Sequence, residues 1–135
     1  MKKRHIFLGG TCSESNWRTK FISYIDKNVC SWFDPVVDDW TEVCMKREIK
    51  ERQTCDFCLY TITPKMTGVY SIAEVIDDSN KRPHKTIFVI LKEDSNKKFT
   101  EAQRKSLGEV AKMVKRNGGQ FFDNLKSAAD YMNNN

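Results

Sequence analysis

The sequence predicts an α/β domain built on a parallel sheet, and three observations carry that prediction. Short apolar runs alternate five times with longer segments of helical periodicity. The clearest run, Thr86-Ile87-Phe88-Val89-Ile90-Leu91, is apolar beyond its first residue and rich in β-branched side chains, as in a strand covered on both faces. No internal repeat and no linker divides the 135 residues, so residues 1–135 are expected to form one domain.

The elements follow in order. Ile6-Phe7-Leu8, closed by Gly9-Gly10, reads as a buried first strand. Ser13 or Ser15 can cap a helix over about 14–27, where Trp17, Phe21, Tyr24 and Ile25 fall at helical spacing. Cys30–Phe33 is a second strand that ends at Asp34-Pro35. Residues 34–40 are irregular, because Pro35 cannot join a central ladder. A helix over 41–53 takes Thr41 as its cap, and Phe57–Ile62 forms a third strand stopped by Thr63-Pro64. The loop 65–68 leads into a helix over 69–79, and residues 86–91 make the fourth strand. A long helix over 99–116 is stopped by Asn117-Gly118-Gly119. Gln120–Phe122 is a minimal fifth strand, and 123–132 a last helix carrying Leu125, Ala128, Ala129 and Met132.

Right-handed crossovers between such strands place helices on both faces of a five-stranded parallel sheet. The expected order is 2-1-3-4-5, that of flavodoxin-like folds, with Phe7, Leu59, Phe88 and Ile90 in the core. Ligands of these folds bind beyond the carboxyl ends of the strands, at the switch between strands one and three.

Composition narrows the function classes. Hydrophobic residues at 39% and charged residues at 30% suit a globular chain rather than a disordered one. No apolar run approaches the roughly 20 residues of a membrane helix, so no membrane partner is expected. The apolar stretch after Met1-Lys2-Lys3-Arg4 is too short for a secretory leader, and a cytoplasmic location is expected. The net charge of +5 is spread along the chain, interleaved with acids and without an aromatic series, which reads as a solvated basic surface and not a nucleic-acid groove.

The five cysteines, an odd and scattered set, do not suggest a disulfide framework. Cys55-Asp56-Phe57-Cys58 has C-x-x-C form, but His5 and His84 show no ligand spacing, so no metal is expected. If the segment enters a strand, its two thiols point to opposite faces and read as core cysteines.

Two carboxyl-end loops can carry chemistry. Gly9-Gly10-Thr11-Cys12-Ser13 leaves a strand and opens a helix, so its backbone can approach a ligand and its hydroxyls favour an anion; a plain strand-to-helix turn explains it equally well. It is neither a phosphate-binding Gly-Lys-Ser/Thr loop nor G-x-G-x-x-G, so no nucleoside triphosphatase, dinucleotide dehydrogenase or bound cofactor is expected. In the second loop, Gly68 permits close approach, and Ser71 and Glu74 share a helix face. From spacing alone, Glu74 reads as a solvated glutamate paired with a surface lysine.

The combination of Phe7-Leu8-Gly9-Gly10-Thr11-Cys12, Trp17-Arg18, Phe33-Asp34-Pro35-Val36-Val37-Asp38-Asp39-Trp40, Cys55-Asp56 and Ile62-Thr63-Pro64-Lys65-Met66-Thr67-Gly68-Val69-Tyr70-Ser71-Ile72-Ala73-Glu74 resembles the nucleoside 2-deoxyribosyltransferase-like family. The resemblance covers about residues 5–91. It implies an enzyme that cleaves or exchanges the base–deoxyribose bond through a covalent glycosyl ester on a helix glutamate, matched here by Glu74. It further implies that Glu48 manages the proton of the base and that Asp56 matches an acidic residue preceding the third strand, where a catalytic role competes with a structural one.

The sugar, its 5-phosphate or the base would then meet Gly9, Gly10, Thr11, Ser13, Trp17, Arg18, Asp38, Trp40, Gly68, Tyr70 and Ser71. Two positions depart from the family pattern: Thr67-Gly68-Val69 stands where an aspartate is common, and Ile76 where a glycine is common. The expected substrate is a small-molecule nucleoside or nucleotide, and the family's habits imply a homo-oligomer. Two other readings stand beside the enzyme: a catalytically inactive nucleotide- or nucleotide-signal-binding module of the same fold, and an NAD glycohydrolase, since Toll/interleukin-receptor-like domains use a comparable helix glutamate.

Overall fold

The computed structural model of the chain describes residues 2–12 and 14–135. Its main sheet contains β1 (Arg4–Gly10), β2 (Cys30–Phe33), β3 (Phe57–Ile62), β4 (Thr86–Ile90) and, after a small antiparallel hairpin of β5 (Glu93–Asp94) and β6 (Lys97–Lys98), β7 (Gln120–Phe122). All neighbours in the five-stranded sheet are parallel, in the order β2-β1-β3-β4-β7. This is the expected flavodoxin-like order, with β7 as the fifth strand. The register pairs Leu8 with Leu59 and Leu59 with Ile87, so the three central strands bury apolar side chains side by side.

Alternating strand residues feed two cores. Ile6, Leu8, Leu59, Ile87 and Val89 pack against α1 (Trp17–Tyr24) and α5 (Leu125–Asn134), through Trp17, Phe21, Leu125, Ala128, Ala129 and Met132. Phe7, Cys58, Tyr60, Ile62 and Phe88 face the other way, against α3 (Tyr70–Lys81) and α4 (Glu101–Arg116) through Val75, Leu107, Ala111 and Val114. Phe7, Leu59 and Phe88 are fully buried, whereas Ile90, near the carboxyl edge, is only partly so.

The remaining helix, α2 (Glu42–Thr54), is different. Arg52 is its one buried residue among those described, and ionic and ring contacts attach it: Arg52 to α3, Glu51 to His5, and the Arg47 guanidinium over the Phe33 ring.

Capping chemistry sets the helix limits. Thr41 accepts a hydrogen bond from the Cys44 amide, as expected. At α4 the Thr100 hydroxyl and the Gln103 side chain form a reciprocal capping box. The first helix is shorter than the expected 14–27. Ser15 donates its hydroxyl to Asp94 of the hairpin, Asn16 precedes α1 without a side-chain cap, and after Ile25 the Asp26 carboxylate closes a turn on the Asn28 amide. The expected Ser13 cap lies outside the described residues.

The C-x-x-C geometry also differs from expectation. Cys55 precedes β3, so strand alternation does not apply, and its sulfur lies 3.1 Å from that of Cys58. Both are free thiols in the core, hydrogen-bonded to the Arg52 carbonyl.

Candidate active site

At the carboxyl edge, β1 and β3 run so close that side chains are excluded between them. A Cβ on Gly10 would stand 2.0 Å from the Thr61 carbonyl oxygen, and Gly10 has φ +118°, open to glycine alone at little strain. The chain beyond it is then pinned. Thr11 donates its amide to the Thr61 carbonyl at 2.9 Å, and its hydroxyl accepts from the Thr63 amide at 3.0 Å. The Thr11 carbonyl in turn accepts from the Trp17 indole at 2.8 Å and from Arg18 Nη1 at 2.7 Å. Arg18 also grips the Leu8 carbonyl, with Asp34 at 3.4 Å. Burial lowers its pKa, against the charge of Asp34.

Between this pinned loop, the 34–40 segment, α2 and the start of α3 lies a cavity of about 420 Å³. That volume falls within the span of small-molecule sites. Gly9, Gly10, Thr11, Cys12 and Arg18 form one wall. Pro35, Val36, Val37 and Trp40 form an apolar second wall, and Met66, Thr67, Gly68, Tyr70 and Ser71 the rim opposite. Tyr70 and Trp40 are exposed at the mouth, at 72% and 57%. Glu48 from α2 and Glu74 from α3 supply two carboxyl groups to the lining.

These carboxyl groups are in hydrogen-bonding contact with one another. Glu74, only 7% exposed, has its pKa raised to about 8, first by burial and then by the charge and hydrogen bond of Glu48; Arg52 opposes the rise. Burial raises Glu48 as well, against its contact with Glu74 and the charges of Arg52 and Arg18. Two carboxyl groups in contact, one buried and one half-buried, cannot both ionise cheaply, so near neutrality the pair holds one proton between them.

Behind Glu74 stands a second set of groups. Arg52 Nη1 lies 3.5 Å from Glu74 Oε2, while Nε and Nη2 each hold an Asp78 oxygen at 3.1 Å. Asp78 also accepts from the Tyr60 hydroxyl at 2.5 Å and from Arg82. Burial would raise Asp78, but the hydrogen bonds from Arg52 and Tyr60 keep it below the ordinary carboxylate range. Tyr60 is raised by burial and by the charge of Asp78.

The chain matches the model of a family described as nucleoside 2-deoxyribosyltransferase like, over residues 3–94. It belongs to the nucleoside 2-deoxyribosyltransferase-like family. The match spans β1 to β5 and so takes in every residue of the cavity wall, while α4, β7 and α5 lie beyond it. A comparison with curated proteins gave no match.

Within this nucleoside 2-deoxyribosyltransferase-like domain, the structure brings together Gly9, Gly10, Thr11, Arg18, Trp40, Glu48, Gly68, Tyr70, Ser71 and Glu74 from the sequence-predicted set. It does not bring in three others. Asp56 sits at the amino end of β3, where its carboxylate accepts from the His5 amide at 2.7 Å and its own amide bonds the His5 carbonyl. It staples β1 to β3 at the edge opposite the cavity. Trp17 is a core residue whose indole holds the Thr11 carbonyl, so its ring is not free to stack on a base. Asp38 is exposed on the 34–40 segment and does not line the cavity. Ser13 lies outside the described residues.

The sequence reading missed Arg52, Asp78 and Tyr60, and the apolar wall of Val36, Val37 and Met66. A signal for the first two was present. Glu48 with Arg52, and Glu74 with Asp78, are i, i+4 pairs that turn two charged groups from each helix toward the same seam.

Proposed function

We propose that the protein is an N-glycosyl enzyme that cleaves or exchanges the base–deoxyribose bond of a nucleoside or nucleotide. The observation that carries the reading is the Glu48–Glu74 pair, two carboxyl groups brought into contact from different helices at the wall of a nucleoside-sized cavity. A Glu74 oxygen attacks the anomeric carbon as the carbon–nitrogen bond breaks, and the bond's electron pair leaves with the base. Glu48, which takes over the shared proton from Glu74 as the substrate seats, delivers it to the departing base nitrogen. Water or a second base then attacks the anomeric carbon, giving its proton to the Glu48 carboxylate, and the glycosyl ester bond breaks to release the Glu74 carboxylate. The transition state is oxocarbenium-like, which a carboxylate stabilises and captures. Val36, Val37, Trp40 and Tyr70 offer the apolar surface on which a base can lie.

Incubation with a panel of deoxynucleosides, their monophosphates and NAD tests the reading. Release of free base, with or without exchange into a second base, is expected from at least one deoxy substrate. Glu74→Gln keeps the shape and removes the nucleophile, and is expected to lower turnover by on the order of 10³-fold, about 4 kcal/mol in the barrier, with much less effect on binding. In the active protein the peptide containing Glu74 should gain a deoxyribosyl mass. Binding without base release from any substrate would instead make the domain a nucleotide-binding module, and release of nicotinamide would make it an NAD glycohydrolase.

A further inference from the structure

We propose that Arg52 is a positioning residue that lets the proton shared by Glu48 and Glu74 pass to Glu48, leaving Glu74 as the anion. The inference rests on the role of Glu74 proposed above and adds the group that controls it. Arg52 does not line the cavity, so it meets no substrate; its only route to the chemistry is through the two carboxyl groups.

The geometry is that of a fixed fork. Asp78, fully buried, takes Nε and Nη2 at 3.1 Å each, and Asp77 takes Nη2 at 3.1 Å. Those contacts hold one edge of the planar guanidinium and leave Nη1 to face Glu74 Oε2 at 3.5 Å. Arg52 is also one helical turn beyond Glu48 on α2, so a single cation serves both carboxyl groups of the pair.

The charged and titratable groups around the pair are Arg18 of α1, facing Glu48; Arg52 of α2; Tyr60 of β3, through its bond to Asp78; and Asp78 of α3, itself paired with Arg82. Glu74 is the more deeply buried carboxyl and has Asp78 nearby, so it keeps the shared proton in the free protein, and without a cation facing it the proton could not pass to Glu48 to unmask the nucleophile. Arg52 supplies that cation. Tyr60 and Arg82 keep Asp78 from absorbing it completely, because they share the Asp78 oxygens.

The consequence is a pH signature. The working form of the pair carries one proton, so activity falls on the acid side when the pair takes up a second and on the alkaline side when it loses the first. A cation against the pair favours the ionised forms and lowers both limits; removing it raises both. Arg52→Gln should therefore move both limbs of the kcat/KM profile upward by about one pH unit or more, with kcat falling more than KM rises. Arg52→Lys retains the charge without the fork and should return the limbs part of the way. Lys126→Gln breaks the exposed Lys126–Asp130 ion pair on α5, which touches neither Arg52 nor the carboxyl pair, and should leave the limbs in place.

A readout independent of turnover is the carboxyl titration followed by NMR on glutamate-labelled protein without substrate. The raised titration should move further up in Arg52→Gln, and Glu74→Gln identifies its signal. A wild-type protein that released no base would remove the proposed enzyme, yet this titration would still decide whether Arg52 controls the pair. If Arg52→Gln leaves Asp78 too poorly paired for the fold to form, the same comparison is made between Asp78→Asn alone and Asp78→Asn with Arg52→Gln. Limbs and titration that stay in place while activity falls would overturn the proposal and leave Arg52 as a tie between α2 and α3.

Discussion

Gly10 illustrates how the site depends on single residues. Its φ is positive, and a Cβ added there would stand only 2.0 Å from the Thr61 carbonyl oxygen, so a side chain must push β1 away from β3. Gly10→Ala is expected to destabilise the protein by about 2–4 kcal/mol, combining left-handed strain of about 1–2 kcal/mol with overpacking. Urea unfolding checks this, and an unchanged midpoint would show that the strands separate freely. The sequence marked Gly9-Gly10 as a place of close approach, but the partner is the neighbouring strand as well as the cavity. Trp17 was legible as an apolar residue at helical spacing, and the family resemblance placed Trp17 and Arg18 against the substrate. What no sequence pattern could reveal is that both point back at the Thr11 carbonyl, because backbone acceptors have no residue type.

Among the elements, α2 has the least ordinary attachment. Its limits and its Thr41 cap followed from the sequence, whereas its seating did not: it lacks an apolar stripe, and buried charge replaces one. Val43, Met45 and Ile49 are consequently exposed, Val43 at 76%. Exposed apolar residues on this helix are expected to be covered in part by a second copy of the chain. Light scattering should then give at least twice the 15.8 kDa chain mass, and Val43→Glu should lower it; a 15.8 kDa species at high protein concentration would leave this face to solvent. The hairpin β5–β6 was hidden for a different reason. Glu93-Asp94-Ser95-Asn96-Lys97-Lys98 is wholly polar, so no apolar alternation announces it, and it forms around Ser95 at φ 57° with Asp94 tied to Ser15.

At the scale of the molecule, the strand order was readable because parallel strands must be apolar and their crossovers have one hand, whereas the carboxyl pair was only half visible: Glu74 carried a motif, and its neighbours across the α2–α3 seam did not. That seam links the site to the stability of the whole fold. Glu74 holds a proton in the folded protein up to about pH 8, whereas in the unfolded chain it gives the proton up near its ordinary value of 4.5. The folded state therefore binds more protons between those limits, and stability falls as pH rises through them. The contribution is complete below about 4.5 and lost by about 8, and Glu48, also raised, acts in the same direction. Asp78 has the opposite sign: held below 3.8, it contributes above that value and is lost as acid protonates it. Unfolding free energy is thus expected to decline from pH 5 to pH 8.5 by an amount on the order of a few kcal/mol, at about 1.4 kcal/mol per pH unit where Glu74 alone differs, with Glu48 adding to the slope. Glu74→Gln imitates the protonated carboxyl, can still donate to Glu48, and should flatten this slope, so that the variant is more stable than the wild type at pH 8.5 while turning over far less. Urea titrations of both proteins at pH 5 and pH 8.5 measure the difference, and parallel slopes would mean that the proton is not held by this pair.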